Sequence, residues 1–133
     1  MATLFTKIIN GTIPSYKIAE TPDYYAFLDI NPNTKGHTLC VPKKEVDNLF
    51  DLEEDVYLGL LSFSKKIAKA MQNVLTCERV AMSVIGLEVP HAHVHLIAID
   101  QISDVSFATK VKLTPEEFES IAQQIRLELK DIL

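Results

Sequence analysis

Three histidines alternate with apolar residues in the stretch HAHVHLI, residues 91–97, of a chain that has four histidines in all. In a β-strand, side chains two residues apart point to the same face of the sheet. His91, His93 and His95 would therefore line one face of a strand, and the apolar residues between them would line the other. The stretch predicts a strand that carries a row of imidazoles, and any fold of this chain has to accommodate that row.

The pattern of apolar residues elsewhere predicts an α+β fold with an antiparallel sheet. A period of two, together with turn residues between the segments, indicates five strands. The five segments are SYKIAE, YYAFLDI, GHTLCVP, ERVAMSVI and HAHVHLIAI.

A helical period of three to four residues predicts a short helix in TLFTKIING, a long central helix and a C-terminal helix. The long helix would begin at a capping box of Asp51 and Glu54, and the C-terminal helix at a second one of Thr114 and Glu117. Residues 100–112, which precede the C-terminal helix, show no clear pattern. The two apolar stripes are Val56, Leu60, Phe63, Ile67, Met71 and Val74, and then Phe118, Ile121, Ile125, Leu129 and Ile132.

The size and charge of the chain limit its function. With 133 residues, 47% of them hydrophobic, it fits a single domain, residues 1–133, with a sizeable core. The formal net charge of −5 argues against binding of a nucleic acid polymer through many phosphate groups, but a local pocket could still bind a small anion. No secretory leader pattern or membrane-spanning apolar run is present, and Cys40 and Cys77 form no CxxC pair. We therefore expect a cytoplasmic protein with free thiols and no membrane contact.

Three explanations of the histidine row follow from the chemistry of imidazole. The rings could pack in a core, although each would then need polar partners where Leu or Val needs none. They could bind zinc with His37 as a further ligand, but the row spans about 13 Å along a strand, so that at most two of its members could share one ion. Finally, one imidazole could act as a nucleophile on phosphorus, supported by its neighbours and by backbone N–H groups of GLEVP, residues 86–90.

The run from His91 to Ile97 matches the His-φ-His-φ-His-φ-φ motif of the histidine triad (HIT) family of nucleotide hydrolases and transferases. LFTKIINGTIP resembles the N-terminal segment of that family, and AFLDINPNTKGHTLCVPKK resembles its strand, loop and strand block. The resemblance covers residues 4 to about 99 and is closest to the Hint-like and bacterial HIT branch. It implies a HIT-like α+β domain, with a roughly five-stranded antiparallel sheet, one long helix and a C-terminal helix, and a homodimer.

The resemblance also implies a role for each polar residue of the motif. His93, the middle histidine, would be the nucleophile and would form a nucleotidyl-phosphohistidine. His95 would contact the phosphate, His91 would order the site through hydrogen bonds, and His37 would approach from the preceding strand. Asp29 stands where the carboxylate of the family accepts the ribose hydroxyls, a role that suits its two acceptor oxygens.

A nucleotide-binding pocket is implied as well. Ser83 stands near the position of an asparagine that many members use. Many members also have Gly-Gln-Ser/Thr where this chain has GLEVP, so the backbone N–H groups around Glu88 and Val89 would have to hold the phosphate, and the Glu88 carboxylate is expected to turn towards solvent. The base pocket would consist of Phe5, Ile8, Ile13, Phe27 and Ile30, although such apolar residues more often belong to a core.

These inferences predict a nucleotide hydrolase or transferase that acts at a nucleoside 5′-phosphate through a nucleotidyl-histidine intermediate. The resemblance implies a purine nucleoside phosphoramidase-like activity, with a small purine nucleotide as substrate. An imidazole nucleophile needs no metal or other cofactor. The alternatives are a nucleotide-binding adaptor with little turnover, a dinucleoside polyphosphate hydrolase, and a metal-binding protein.

Overall fold

A computed structural model describes residues 2–130, and it confirms the α+β fold with a five-stranded antiparallel sheet. The strands are β1 (Lys17–Glu20), β2 (Tyr24–Leu28), β3 (Thr38–Pro42), β4 (Arg79–Ser83) and β5 (Val94–Ile99). Their order in the sheet is β1-β2-β3-β5-β4, and every neighbouring pair is antiparallel. The helices are α1 (Leu4–Ile9), α2 (Glu54–Val74) and α3 (Pro115–Leu129), with 3-10 turns at Leu49–Asp51 and Ile102–Val105.

Both faces of the central strands are covered, because alternate side chains pack against different helices. Ala26, Leu28 and Cys40 belong to the larger core, which α2 and α3 cover. Phe27 and Leu39 belong to a smaller core on the opposite face, which α1 covers. The predicted stripes of α2 and α3 contribute to the larger core with Leu60, Phe63, Ile67, Met71, Phe118, Ile121, Ile125 and Leu129; Ile132 lies outside the described residues.

The last strand begins three residues later than its alternation predicts. The N–H of Ala92 donates to the carbonyl of Val46 at 2.7 Å, and the N–H of His91 donates to the carbonyl of Val89 at 2.8 Å. These bonds keep His91 and Ala92 out of the ladder, and β5 starts at Val94. The alternation itself persists, since Ala92 and Val94 both belong to the larger core.

The predicted capping box of the long helix is wrong, whereas that of the C-terminal helix is confirmed. Asp51 lies inside a 3-10 turn in which the Asn48 side chain accepts from the Phe50 N–H and the Asn48 carbonyl accepts from the Asp51 N–H, so Asp51 is not available to cap α2. Glu53 precedes α2 without a side-chain cap. In α3, the Thr114 hydroxyl accepts from the Glu117 N–H and the Glu117 carboxylate accepts from the Thr114 N–H.

The loop between β2 and β3 positions two polar residues of the histidine face. The N–H of Asp29 donates to the carbonyl of His37 at 2.9 Å, which closes the loop where β2 ends and β3 begins. Gly36, immediately before His37, has φ +90°, and a Cβ at this position would lie 2.5 Å from the Leu75 side chain. The chain therefore requires glycine at this point of the loop.

None of the helices within residues 2–130 has both the length and the apolar character that a membrane span requires.

Candidate active site

The strand register brings His37 and His95 into contact on the face of the sheet that α1 covers. His95 pairs with Leu39 across the β3–β5 ladder, and His37 precedes β3 on the same face as Leu39. The Nε2 atom of His37 lies 2.9 Å from the Nδ1 atom of His95. Each ring therefore has a buried hydrogen-bond partner, which explains how two imidazoles can lie where solvent hardly reaches them.

The direction of this hydrogen bond follows from the partner of the second His37 nitrogen. The backbone N–H of Asn33 donates to Nδ1 of His37 at 3.0 Å, so Nδ1 must be unprotonated. In a neutral His37 the proton then sits on Nε2 and is donated to Nδ1 of His95. His95 in turn carries its own proton on Nε2, which is left to serve as a donor.

His93 is held in a tautomer that suits a nucleophile. Its Nδ1 atom lies 2.7 Å from the carbonyl oxygen of His91, and a carbonyl can only accept, so the proton is on Nδ1. The lone pair of the imidazole is therefore on Nε2. The ring packs edge to face against Phe5, with centroids 4.9 Å apart, and lies 5.0 Å from the ring of His95.

His91 has no exposed surface, and its hydrogen bonds join it to the end of β3 and the start of α1. Its Nε2 atom donates to the Pro42 carbonyl at 2.7 Å, which leaves Nδ1 to accept a hydrogen bond from the Thr3 hydroxyl, also at 2.7 Å. Both nitrogens are thus satisfied. The ring connects the end of β3 to the start of α1, and its own carbonyl orients His93.

Burial keeps the imidazoles of the site neutral. Desolvation is the main cause that lowers the pKa of His37 from 6.5 to about 3, and the charges of His95 and Lys110 add to it. Desolvation also lowers the pKa of His95 to about 4, with contributions from His93 and Lys110. The pKa of His93 is lowered for the same reason, although the hydrogen bond to the His91 carbonyl opposes the shift. Neutral rings near pH 7 are the state that the hydrogen-bond directions above require.

Asp29 completes the polar group on this face. One carboxylate oxygen accepts from the Asn31 N–H at 2.9 Å, and the other lies 3.8 Å from Nε2 of His37. Burial raises the pKa of Asp29, while the bond to Asn31 and the charge of Lys110 act in the opposite direction. Ligand atoms of Asp29, His37 and His95 all lie within 4.8 Å of one another, so this trio, unlike the histidine row, has the spacing of a metal-binding group.

Two cavities meet at His93. The larger one, of about 450 Å³, is the histidine cavity, and it also contacts His95, Asp29 and Lys110. The smaller one, of about 380 Å³, is lined by Leu49 and Ala92 as well as by His93. The lining of the histidine cavity is Asp29, Asn31, Ile85, Gly86, Leu87, Glu88, His93, His95, Phe107 and Lys110.

The residues expected to form a base pocket do not line the histidine cavity. Phe5, Ile8 and Phe27 are buried in the smaller core, and Ile13 packs against that core half-buried. Ile30 is 74% exposed. The first three therefore fill space between α1 and the sheet, with Phe5 also contacting the rings of His91 and His93.

The remaining predicted residues lie around the cavity at different depths. Ser83 is half-buried at the end of β4, directly opposite His95 in the ladder. Glu88 is exposed to solvent and also lines the histidine cavity. Val89 packs against the smaller core, and its carbonyl accepts from the N–H of His91.

The structure adds residues that the sequence patterns do not identify. Phe107 and Lys110 come from the stretch without regular periodicity, and Asn31 and Asn33 come from the loop after β2. The Phe107 ring packs edge to face against His95, with centroids 4.9 Å apart. In the sequence, only the turn-forming composition of NPNTKG, residues 31–36, indicates that this loop has a fixed conformation.

Known proteins resemble this chain in both sequence and structure. The adenosine 5′-monophosphoramidase of Saccharomyces cerevisiae is 40% identical over 100 residues, which span 72% of this chain and 61% of the yeast protein. The adenosine 5′-monophosphoramidase of Schizosaccharomyces pombe is 33% identical over 138 residues, covering 98% of this chain and all of its own length. A hypothetical histidine triad nucleotide-binding protein from Sulfolobus tokodaii superimposes with a TM-score of 0.85 at 26% identity, covering 96% of this chain and 92% of its own.

The family model described as HIT domain matches residues 10–102, which include the loop after β2, both core-facing surfaces of the sheet and the complete histidine motif. The family resemblance of that motif is thus confirmed, and the chain belongs to the HIT family.

Proposed function

We propose that this chain is a HIT-type nucleotide hydrolase, in which His93 attacks a nucleoside 5′-phosphate. The observation that carries the proposal is the bond from Nδ1 of His93 to the His91 carbonyl, because it places the lone pair of a neutral imidazole on Nε2 beside the histidine cavity. The two relatives named adenosine 5′-monophosphoramidases favour an adenosine phosphoramidate as the substrate class.

The reaction has two displacement steps at phosphorus. In the first, Nε2 of His93 forms a bond to the phosphorus and the P–N bond breaks, and the leaving nitrogen takes up a proton from solvent so that it departs as the amine. In the second, water attacks the phosphorus, the bond to Nε2 breaks with its electron pair returning to the ring, the proton lost by water passes to solvent, and the nucleoside monophosphate is released. The Nε2–H of His95, fixed by the hydrogen bond from His37, is the donor proposed to stabilise the phosphate oxygens.

A panel of substrates tests the proposal against its alternatives. Adenosine and guanosine phosphoramidates, dinucleoside polyphosphates and nucleotide sugars would be incubated with the protein, and release of monophosphate would be measured. We expect the fastest release from the purine phosphoramidates. Faster cleavage of dinucleoside polyphosphates would favour the polyphosphate hydrolase, and nucleotide binding without release from any substrate would identify an adaptor.

Substitution of the nucleophile should separate catalysis from binding. We expect His93→Ala to abolish turnover while AMP affinity stays within about tenfold, because the covalent bond belongs to the reaction and not to ground-state binding. Steady-state kinetics and calorimetry with AMP measure the two effects. His93→Gly with added imidazole serves as the matched control, since a diffusible ring can replace the missing one. Turnover near the wild-type rate in His93→Ala would contradict the assignment.

The lowered pKa values of the histidines predict a broad pH profile. Nε2 of His93 attacks only when unprotonated, and Nδ1 of His95 accepts from His37 only when unprotonated. Since both pKa values lie below 6.5 in the folded protein, kcat/KM should fall on acidification with a midpoint below pH 6.5. The free energy of unfolding should also decrease as the pH falls below 6.5, because the unfolded histidines then bind protons that the folded ones do not. An acid limb centred at or above pH 6.5 would show that these rings are not held neutral.

Chelation distinguishes the nucleophile from a metal site. The 2.9 Å separation of His37 Nε2 and His95 Nδ1 is that of a hydrogen bond, and a proton shared there occupies the lone pair that an ion would need. We therefore expect phosphoramidate hydrolysis to survive exhaustive treatment with chelator. Loss of activity that zinc restores would instead assign a metal to the Asp29, His37 and His95 group.

A homodimer through the free edge of β4 is part of the proposal. Met82, Val84 and Ile85 are 38–50% exposed at this edge, where a partner strand could add to the sheet and cover them. Light scattering at micromolar concentration should report a dimer for the wild type and for Lys17→Ser, which changes the opposite edge strand. Met82→Arg should shift the protein towards monomer. A wild-type protein that is only monomeric would contradict this assembly.

A further inference from the structure

Lys110 is the one cationic side chain among the described residues that line the histidine cavity. Its Nζ atom lies 2.8 Å from Oδ1 of Asn33 and 4.8 Å from the centroid of the Phe107 ring. Phe107 in turn packs against His95. The ammonium group is therefore held beside the histidines by a hydrogen bond and an aromatic face, in contrast to a lysine that extends freely into solvent.

Asn33 gives this arrangement a fixed orientation. The side chain is 4% exposed, and its amide nitrogen donates to the carbonyls of Asp104 at 3.1 Å and Ser106 at 3.2 Å. Because both of those partners can only accept, the amide oxygen must face the other way, towards Lys110. The N–H of Val111 also donates to the Pro32 carbonyl at 3.0 Å, which anchors the backbone next to Lys110.

The other charged side chains of the cavity lining indicate which ligand the Lys110 ammonium can bind. Asp29 and Glu88 contribute carboxylates, and burial lowers the pKa values of His93 and His95, so without Lys110 the only charged side chains of the lining would be negative. The Gly86–Pro90 loop offers only apolar side chains and one carboxylate. An ammonium has three N–H donors, and within residues 2–130 the bond to Asn33 uses one of them. Two donors remain for a ligand.

From this geometry we infer that Lys110 binds the 5′-phosphate of the substrate and supplies the charged donor that the Gly86–Pro90 loop lacks. The inference rests on the proposed function in that it assumes a nucleotide in the histidine cavity. It assigns phosphate recognition to the segment after β5. The hydrogen bond to a charged donor should contribute about ten- to a hundredfold to phosphate affinity.

Comparison of AMP with adenosine isolates this interaction, because the two ligands differ only in the phosphate. Calorimetry would give both affinities for the wild type, Lys110→Met, Lys110→Arg and Lys112→Met. We expect the preference for AMP to fall about ten- to a hundredfold in Lys110→Met, and adenosine affinity to stay unchanged. Lys110→Arg should retain most of the preference, since it keeps the charge.

Lys112 is the matched control, as it lies two residues away, is exposed and does not line either cavity. Lys112→Met should therefore keep the full preference for AMP, and an equal loss in this variant would reduce the effect to the net charge of the protein and overturn the inference. Should Lys110→Met fail to fold, Lys110→Gln removes the charge but keeps an N–H donor for Asn33, and it should lose the AMP preference in the same way.

The outcomes separate this inference from the proposed hydrolysis. If the wild type releases monophosphate from adenosine phosphoramidate and Lys110→Met keeps the AMP preference, the role of Lys110 is wrong and the hydrolase proposal stands. If Lys110→Met loses the preference and the wild type shows no turnover, the role of Lys110 stands and the hydrolase proposal is wrong. A wild type that binds AMP no more tightly than adenosine would overturn the inference.

Discussion

The hydrogen bond between His37 and His95 is the interaction on which the candidate site depends. Both rings are buried where a positive charge is strongly disfavoured, so each must be neutral and must have partners for its nitrogens. The bond forms only if β3 and β5 are paired in the observed register, with Leu39 opposite His95. A shift by one residue would turn His95 into the larger core and leave His37 without its partner. The register of the sheet therefore also determines where the protons of the site lie.

Much of this arrangement could be predicted from the period of two in the strands. The alternation in residues 91–97 predicts that the three histidines share one face, and the same alternation places Asp29 with Phe27 and His37 with Leu39. That these positions share the face of His95 follows only from the register, which pairs Phe27 with Leu39 and Leu39 with His95. The limits of the elements could not be predicted in the same way. Val94 rather than His91 begins β5 because of a bond from Ala92 to Val46, and Asp51 does not cap α2 because Asn48 caps a turn first. Both bonds involve partners that the pattern of the affected segment does not reveal.

The positions of the side chains in the segment after β5 could not be predicted from the sequence. The segment has little regular structure, so neither the strand period of two nor the helical period of three to four indicates which way its side chains point. Its position is set by contacts that are distant in sequence, in particular from Asn33 to the carbonyls of Asp104 and Ser106. Lysine is also the residue for which solvent exposure is the ordinary expectation. Only the three-dimensional contacts distinguish Lys110 from Lys112.

Asn33 connects the two halves of the site through different groups. Its backbone N–H sets the tautomer of His37, and through it the proton arrangement of His95, while its side-chain oxygen holds Lys110. The ammonium and the imidazoles also oppose each other electrostatically, because a cation close to His37 and His95 lowers their pKa values further. A lysine that attracts phosphate would be repelled by protonated histidines beside it. Neutral histidines do not repel it in this way. The same burial that makes the histidines neutral thus allows a lysine to lie close to them, and the hydrogen bonds of Asn33 fix both groups relative to one another.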